Sequence, residues 1–388
     1  MALKHAKLSA SGAHRWINCP GSVALEEDFP DSSSAYAKEG TLAHDLAELK
    51  LKKEFVKGYG PKTYEKDLEP LKASEFWARD MDHYTDLYKD EVKRVFLSYK
   101  HRPFVAIEQR VDFSPWVPEG FGTCDCILIS GNQLAVIDLK YGKGVPVSPE
   151  NNPQLMLYGL GAYNGFSSIY KIDKISLCIV QPRLNSISWW DISKDDLLAF
   201  GEEIKPIAQE AFEGSSTFKE GDHCRFCRAK SLCMERAKTM FKSIEELKEA
   251  KDKGKDLLSL DEVGDLLKKS EGVTGWIKDL EALALDSILA GDKVPGYRVV
   301  EGRSNRKITN PEALASQLII AGFDEAMIYK PKQLETITNL EKLTGKKEFA
   351  EIGKGYIEKP QGKPTLVKED DKREDYKKDL SKMFNEIN

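Results

Sequence analysis

Gly122-Thr123-Cys124-Asp125-Cys126-Ile127-Leu128-Ile129-Ser130, then Gly131-Asn132, then Gln133-Leu134-Ala135-Val136-Ile137-Asp138-Leu139-Lys140 is the stretch that decides the fold. Two strand-like runs flank a Gly-Asn pair, the signature of a two-residue hairpin turn. With that turn Ser130 pairs with Gln133, and counting back sets Asp125 opposite Asp138. Opposed side chains stand only about 4.5–5.5 Å apart at Cβ, where like charges repel. A cation between the two carboxylates removes the repulsion. Lys140, two residues after Asp138, shares its sheet face. The hairpin thus reads as a metal-and-lysine hydrolytic site.

The chain has 388 residues, room for two domains or for one large domain with an appendage. At 41% hydrophobic and 31% charged its composition is that of an ordinary soluble protein. No apolar run is long enough to span a bilayer, and Met1 to Ser11 lacks the apolar centre of a secretory signal. The expected compartment is the cytoplasm, with no membrane partner. A net charge of −5 argues against a bulk electrostatic nucleic-acid binder but not against a locally basic groove. Seven cysteines in a cytosolic chain point to metal ligands or buried thiols rather than disulfides.

Leu8 to about Lys53 reads as helical, with Ser34 placed to cap a helix through Ala35, His44 and Leu51. A second helical stretch covers about Ala73 to Tyr99, and Phe104 to Phe113 alternates as a strand. After a turn through Tyr141-Gly142-Lys143-Gly144, Asn152-Pro153 gives an N-cap followed by proline at the first helical position. That helix runs to an Asn164-Gly165 stop. Lys174 to Pro182 is an apolar strand with Ser186 to Ile192 as its partner, and Asp195 to Phe212 is a helix. The expected fold is α/β, a central mixed sheet flanked by helices over residues 1–240. From 241 onward we expect a mostly helical accessory region with a small β element, Tyr297 to Ile308, carrying Arg298, Arg303, Arg306 and Lys307. Asn310-Pro311 opens another helix there, and from about Lys359 the chain is a polar tail.

Water activation for phosphodiester cleavage needs a divalent ion on hard oxygen ligands with open positions. Asp125 and Asp138 supply carboxylates, and the Leu139 carbonyl can supply a third oxygen. Lys140 is then placed to stabilise developing negative charge or to orient the water. Gln154 and Tyr158, four apart, project from one helix face toward Lys140, the water or the substrate. Each feature alone has a bland reading: an Asp-x-Lys at a strand end, or a half-exposed helix face. Their order along the chain gives them weight. Glu108 on the preceding strand is read first as a solvated strand face and second as an extra acidic ligand.

This ordered set, Gly-x-x-Asp, hairpin, Asp-x-Lys and Gln-x-x-x-Tyr, resembles the PD-(D/E)XK nuclease superfamily in its RecB-like branch. The resemblance implies a restriction-endonuclease-like core and catalytic roles for Asp125, Asp138, Lys140, Gln154 and Tyr158. It also implies a metal-ligating histidine on an N-terminal helix after a glycine, which Gly40-Thr41-Leu42-Ala43-His44 matches. An imidazole beside carboxylates suits Mn²⁺ as well as Mg²⁺.

Cys224-x-x-Cys227 followed by Cys233 places three thiols in one segment. The AddB and CRISPR-adaptation nucleases of the same branch join one cysteine before the core to three after it around a 4Fe-4S cluster. By that resemblance Cys19, in Trp16-Ile17-Asn18-Cys19-Pro20, is the fourth ligand. Spacing does not separate iron–sulfur from zinc, and the resemblance favours iron–sulfur. Cys124, Cys126 and Cys178 read as buried small hydrophobes, the first two facing away from Asp125. Lys143, Arg183, Arg225 and Arg228, with Lys230, are candidate phosphate contacts, each also readable as a solvated charge.

The whole chain resembles a bacteriophage-borne family known only as a domain of unknown function. The expectation is a metal-dependent deoxyribonuclease, an exonuclease of phage DNA replication or recombination. The rival is a non-catalytic DNA-binding or assembly module that keeps the same fold. For residues 241–388 the sequence leaves open gripping DNA, assembly, or a partner such as a phage single-strand annealing or binding protein.

Overall fold

The computed structural model describes residues 6–29, 35–142, 144–249 and 259–300, together with 312, 317, 320 and 345. The chain divides into two compact units, Met1–Val300 and Glu301–Asn388, and every element named below lies in the first. It is an α/β fold built on a five-stranded mixed sheet.

Before the sheet the described residues form the α-helices α1 (Ala13–Asn18), α2 (Ser22–Glu27), α3 (Ala35–Phe55), α4 (Pro61–Lys72) and α5 (Arg79–Ser98). The expected continuous helical stretch from Leu8 is therefore broken into pieces, and Ser34 lies outside the described residues. Gly60-Pro61 opens α4, an element absent from the sequence reading, with proline in the first turn where its missing N–H costs nothing. Among the described residues, no helix is long and apolar enough to cross a membrane.

The strands β1 (Phe104–Asp112), β2 (Phe121–Ser130), β3 (Gln133–Leu139), β4 (Lys174–Gln181) and β5 (Ser186–Ser193) lie side by side in chain order. All pairs are antiparallel except β3 with β4. Parallel neighbours need a crossover, and α6 (Pro153–Phe166) provides it. Its start is the expected one: the Asn152 side chain accepts from the Leu155 amide, with Pro153 in the first turn. The hairpin turn is also as read, with Ser130 opposite Gln133 and Gly131 at φ 60°, a conformation open to glycine at little cost. Beyond the sheet come α7 (Lys194–Glu213), α8 (Met234–Glu249) and α9 (Leu260–Ala290). Residues 294–300 form no strand. The rest of the expected Tyr297–Ile308 ribbon, with Arg303, Arg306 and Lys307, lies outside the described residues, as do Asn310-Pro311 and the tail.

Two cores sandwich the sheet. On one face Ile127, Ile129, Leu134 and Val136 pack with Leu155 and Leu157 of α6 and Leu197 of α7. On the other, Cys126, Leu128, Ala135 and Ile137 pack with Ala47 and Leu51 of α3 and Tyr88 and Val92 of α5. The Tyr88 hydroxyl, buried there, donates to the Ile137 carbonyl at 3.0 Å. Alternation fails at one level only. Cys124 joins the face of Ile127 and Ile129, whereas strict period-two alternation would set it beside Cys126. On β1, Val111 likewise joins the face of Ala106. The two strands thus change face together at Glu108 and Asp125, and Glu108 carries a left-handed backbone, φ 47°. The expectation that Cys124 and Cys126 share a face is corrected, although both, like Cys178, are fully buried.

Candidate active site

The register places three acids in one row. Ile107 pairs with Cys126 and Gln109 with Cys124, so Glu108 faces Asp125 across β1 and β2. The β2–β3 ladder ends at Cys126 with Ile137, so Asp125 and Asp138 are the first residues beyond it on either strand. The face change at Glu108 and Asp125 turns this row toward α3, where His44 waits. His44 Nδ1 lies 3.3 Å from Asp125 Oδ1. One ligand atom each from His44, Glu108 and Asp125 falls within 4.8 Å of the others. This trio differs from the expected one, since Asp138 lies outside it and Glu108, read first as a solvated face, lies within it. Its signal in the sequence was the position opposite Asp125, one strand further out.

Asp138 joins the site from the other side of Asp125. The Leu139 amide donates to Asp125 Oδ2 at 2.7 Å, locking the two strands together beside both carboxylates. Lys140 Nζ stands 2.9 Å from Asp138 Oδ2 as an ion pair, while its hydrogen bond goes to Gln154 Oε1 at 2.8 Å. Gln154 Nε2 in turn reaches the Tyr158 hydroxyl at 3.2 Å. A Cβ on Gly122 would sit 2.8 Å from the Tyr158 ring, so glycine there makes room for the aromatic that ends the chain of contacts. Asp138, Lys140, Gln154 and Tyr158 thus form one chain of contacts.

The charges interact strongly. Burial would lower His44, but the Asp125 carboxylate beside it and Asp138 behind it lift its pKa to about 9. Burial works against the Asp125 charge too, yet the His44 ring, the Leu139 amide and Lys140 hold that carboxyl below its usual range. Burial pushes Asp138 up, and the neighbouring Asp125 charge adds to the push against the pull of Lys140. Glu108 is raised to about 8, by burial first and by Asp125 second. Four acid and imidazole groups compressed in this way have the character of a cation site.

The donor set suits a divalent ion: carboxylate oxygens with one imidazole nitrogen fit Mg²⁺ and fit Mn²⁺ better. Asp138 Oδ2 is buried and faces the Lys140 ammonium at 2.9 Å. Such an oxygen is costly unless it is turned to a positive charge.

The expected DNA contacts divide. Lys143 lies outside the described residues. Arg183 is drawn inward, 3.0 Å from Glu39 Oε1 and stacked over the Tyr141 ring at 4.7 Å. Arg225 and Arg228 are exposed on the cysteine segment, Arg228 donating to the Phe29 carbonyl at 3.0 Å. Lys230 pairs with Asp279 of α9 at 2.9 Å.

The cysteines share one corner. Cys19 caps the C-terminus of α1, which packs on the 3-10 turn Asp222–Phe226 that carries Cys224. The Lys219 amide points to Cys19 Sγ at 3.5 Å. Buried Glu26 ties the segment down, taking the Arg228 amide and the Arg15 guanidinium at 2.7 Å each. Cys19, Cys224 and Cys227 are buried, Cys233 half-buried, and none is in a disulfide. Zinc at about 2.3 Å from each sulfur would bring the sulfurs to about 3.8 Å from one another. Among the described residues, no three of these sulfurs lie within 4.8 Å of one another. These sulfurs are not closed into a zinc-sized set.

Fold and site together define an α/β protein with an acid, histidine and lysine centre where its hairpin meets α3 and α6. The chain belongs to the family described as "Protein of unknown function (DUF2800)", whose profile matches residues 5–374. Among solved structures, one described as "Crystal structure of SSO0001" is similar at 17% identity, over 49% of this chain and 95% of its own, with a TM-score of 0.25. Agreement that low carries no argument about either chain.

Proposed function

We propose that this protein is a metal-dependent deoxyribonuclease of the PD-(D/E)XK superfamily, RecB-like branch, and that it acts as an exonuclease. The observation that carries the reading is the convergence on one sheet level of Glu108, Asp125 and Asp138 with His44 and Lys140. A surface built only to bind DNA has no use for an acidic row, which repels phosphate unless a cation intervenes.

His44, Glu108, Asp125 and Asp138 are the residues that would hold Mg²⁺ or Mn²⁺. When bound, that ion would polarise the scissile phosphate and acidify water. Asp125 is fixed for its role by the Leu139 amide, and so presents one oxygen toward His44. Lys140 offers its ammonium to charge developing on the phosphate, held in place by Gln154 rather than left to swing. Tyr158 completes the line by orienting Gln154. Arg225 and Arg228 supply exposed positive charge for the DNA backbone.

The resemblance assigns Cys19, Cys224, Cys227 and Cys233 to an iron–sulfur cluster of structural role, which would tie the chain before the core to the chain after it. Action in bacteriophage replication or recombination, in the host cytoplasm, with an annealing or binding protein as partner, rests on the resemblance alone. The test is degradation of linear, circular and single-stranded DNA with Mn²⁺, Mg²⁺ or chelator. DNA bound but left intact under every condition would favour a non-catalytic binding module.

A further inference from the structure

Arg183 reaches two neighbours that belong to different halves of the centre. Its guanidinium donates to Glu39 Oε1 on α3 at 3.0 Å and lies over the Tyr141 ring, 4.7 Å from the ring centroid. Glu39 stands just over one turn ahead of His44 on the same helix. Tyr141 follows Lys140 directly. Arg183 itself lies in the 3-10 turn Pro182–Leu184, just past Val180, whose carbonyl takes the Lys140 amide at 2.9 Å. One side chain therefore joins the helix that carries the imidazole to the strand end that carries the ammonium. Both sides need the tie. Beyond His44, Ala47 and Leu51 bury α3 against the sheet. Ahead of it, Leu42 and Ala43 share a core with Tyr141 and Met81, so α3 is held there by the ring that Arg183 covers. On the other side β3 ends at Leu139, and past the Lys140 amide the backbone is anchored by buried Tyr141, since Gly142 is exposed. A guanidinium can bond a carboxylate and stack on an aromatic face at once, which suits it to brace two elements. With only 11% of its side chain exposed, Arg183 has little surface left to offer a DNA phosphate.

We propose that Arg183 is a positioning residue: bonded to Glu39 and stacked on Tyr141, it fixes the spacing between His44 and Lys140, the metal side and the ammonium side of the centre. The proposal rests on the nuclease reading given above. A reacting group displaced by about 1 Å costs about 10²-fold in rate. The brace therefore acts on turnover rather than on DNA affinity.

The test measures kcat and KM for linear DNA at saturating Mn²⁺, using the full chain. Glu39→Ala and Arg183→Met should each lower kcat roughly 10–100-fold and leave KM little changed. The double variant should be no slower than either single one, because both substitutions remove the same contact. Glu39→Gln keeps an acceptor oxygen for the guanidinium and should recover most of the rate. Glu39→Ala at the parental kcat, or Glu39→Gln as slow as Glu39→Ala, would overturn the proposal. So would a loss in Arg183→Met alone that is confined to KM and weakens the salt dependence, the mark of a phosphate contact. If Arg183→Met does not fold, the two Glu39 variants decide by the same criteria. A parent that cleaves no DNA would overturn the nuclease reading and this proposal together, a result visible before any variant is made.

Discussion

Glu108 faces Asp125 from the edge strand with its own backbone in the left-handed region, at φ 47°. A non-glycine residue there carries strain of roughly 1–3 kcal/mol. Its pKa, about 8, adds the cost of a buried acid with the Asp125 charge beside it. Both costs make sense if Glu108 is a ligand. Glu108→Gln should weaken Mn²⁺ binding by roughly 10–100-fold, the loss that even supporting partners of a metal cause. Glu108→Gly should bind as poorly, yet raise the stability of the metal-free protein by about 1 kcal/mol. Titration calorimetry and thermal melts with chelator check both outcomes, and unchanged Mn²⁺ affinity would remove Glu108 from the site.

The raised pKa values of His44 and Glu108, about 9 and about 8, predict a pH dependence. Both groups hold protons more tightly folded than unfolded, where 6.5 and 4.5 are ordinary. Their contribution to stability is complete below those ordinary values and is lost as pH rises through 8 to 9. The metal-free protein should therefore melt lower at pH 9 than at pH 6.5. Mn²⁺ must displace the same protons, so its affinity should climb over that interval, up to about tenfold per unit for each proton released. Calorimetry at pH 7 in buffers of different ionisation enthalpy should register the release. Affinity flat from pH 6.5 to 9 would contradict this.

Gly122→Ala tests the relay through Tyr158. The new methyl would meet the ring at 2.8 Å and push it from Gln154, and hence disturb Lys140. Overpacking of this kind costs about 1–3 kcal/mol of stability. A displacement near 1 Å at a reacting group costs about 10²-fold in rate. Cleavage should fall far more than Mn²⁺ affinity does, which parallel measurements of rate and binding would separate.

Glu26→Ala tests what holds the thiol corner. The substitution strands Arg15 and frees the Arg228 amide, and breaking a buried pair costs about 3–5 kcal/mol. Iron content and melting temperature should fall together, whereas Glu108→Gln should leave iron untouched. A Glu26→Ala protein with parental stability would mean that Glu26 does not anchor the segment.

Much of this centre is legible in the sequence because it is local. Gly131-Asn132 sets the hairpin register, which carries the ladder as far as Cys126 and Ile137, the neighbours of Asp125 and Asp138. Asn152-Pro153 starts α6, and helical spacing then carries Gln154 and Tyr158 to one face. Glu108 was underweighted because its importance depends on a face change that period-two reading assumes away, and the same assumption misplaced Cys124. The fate of Arg183 was equally hidden. Its partner Glu39 is 144 residues away, and no local pattern announces an ion pair across that distance. α4 was lost for a different reason: its apolar positions are too few to stand out, and no residue of it is buried.

The most direct measurement is the cleavage of end-labelled linear duplex and single-stranded DNA by the parent and by Lys140→Ala, each with Mn²⁺, Mg²⁺ or chelator. The parent should degrade DNA only with metal. Lys140→Ala should bind DNA and Mn²⁺ with near-parental affinity and keep its fold, yet cleave nothing. Metal-dependent cleavage by Lys140→Ala at the parental rate would contradict the mechanism at its centre.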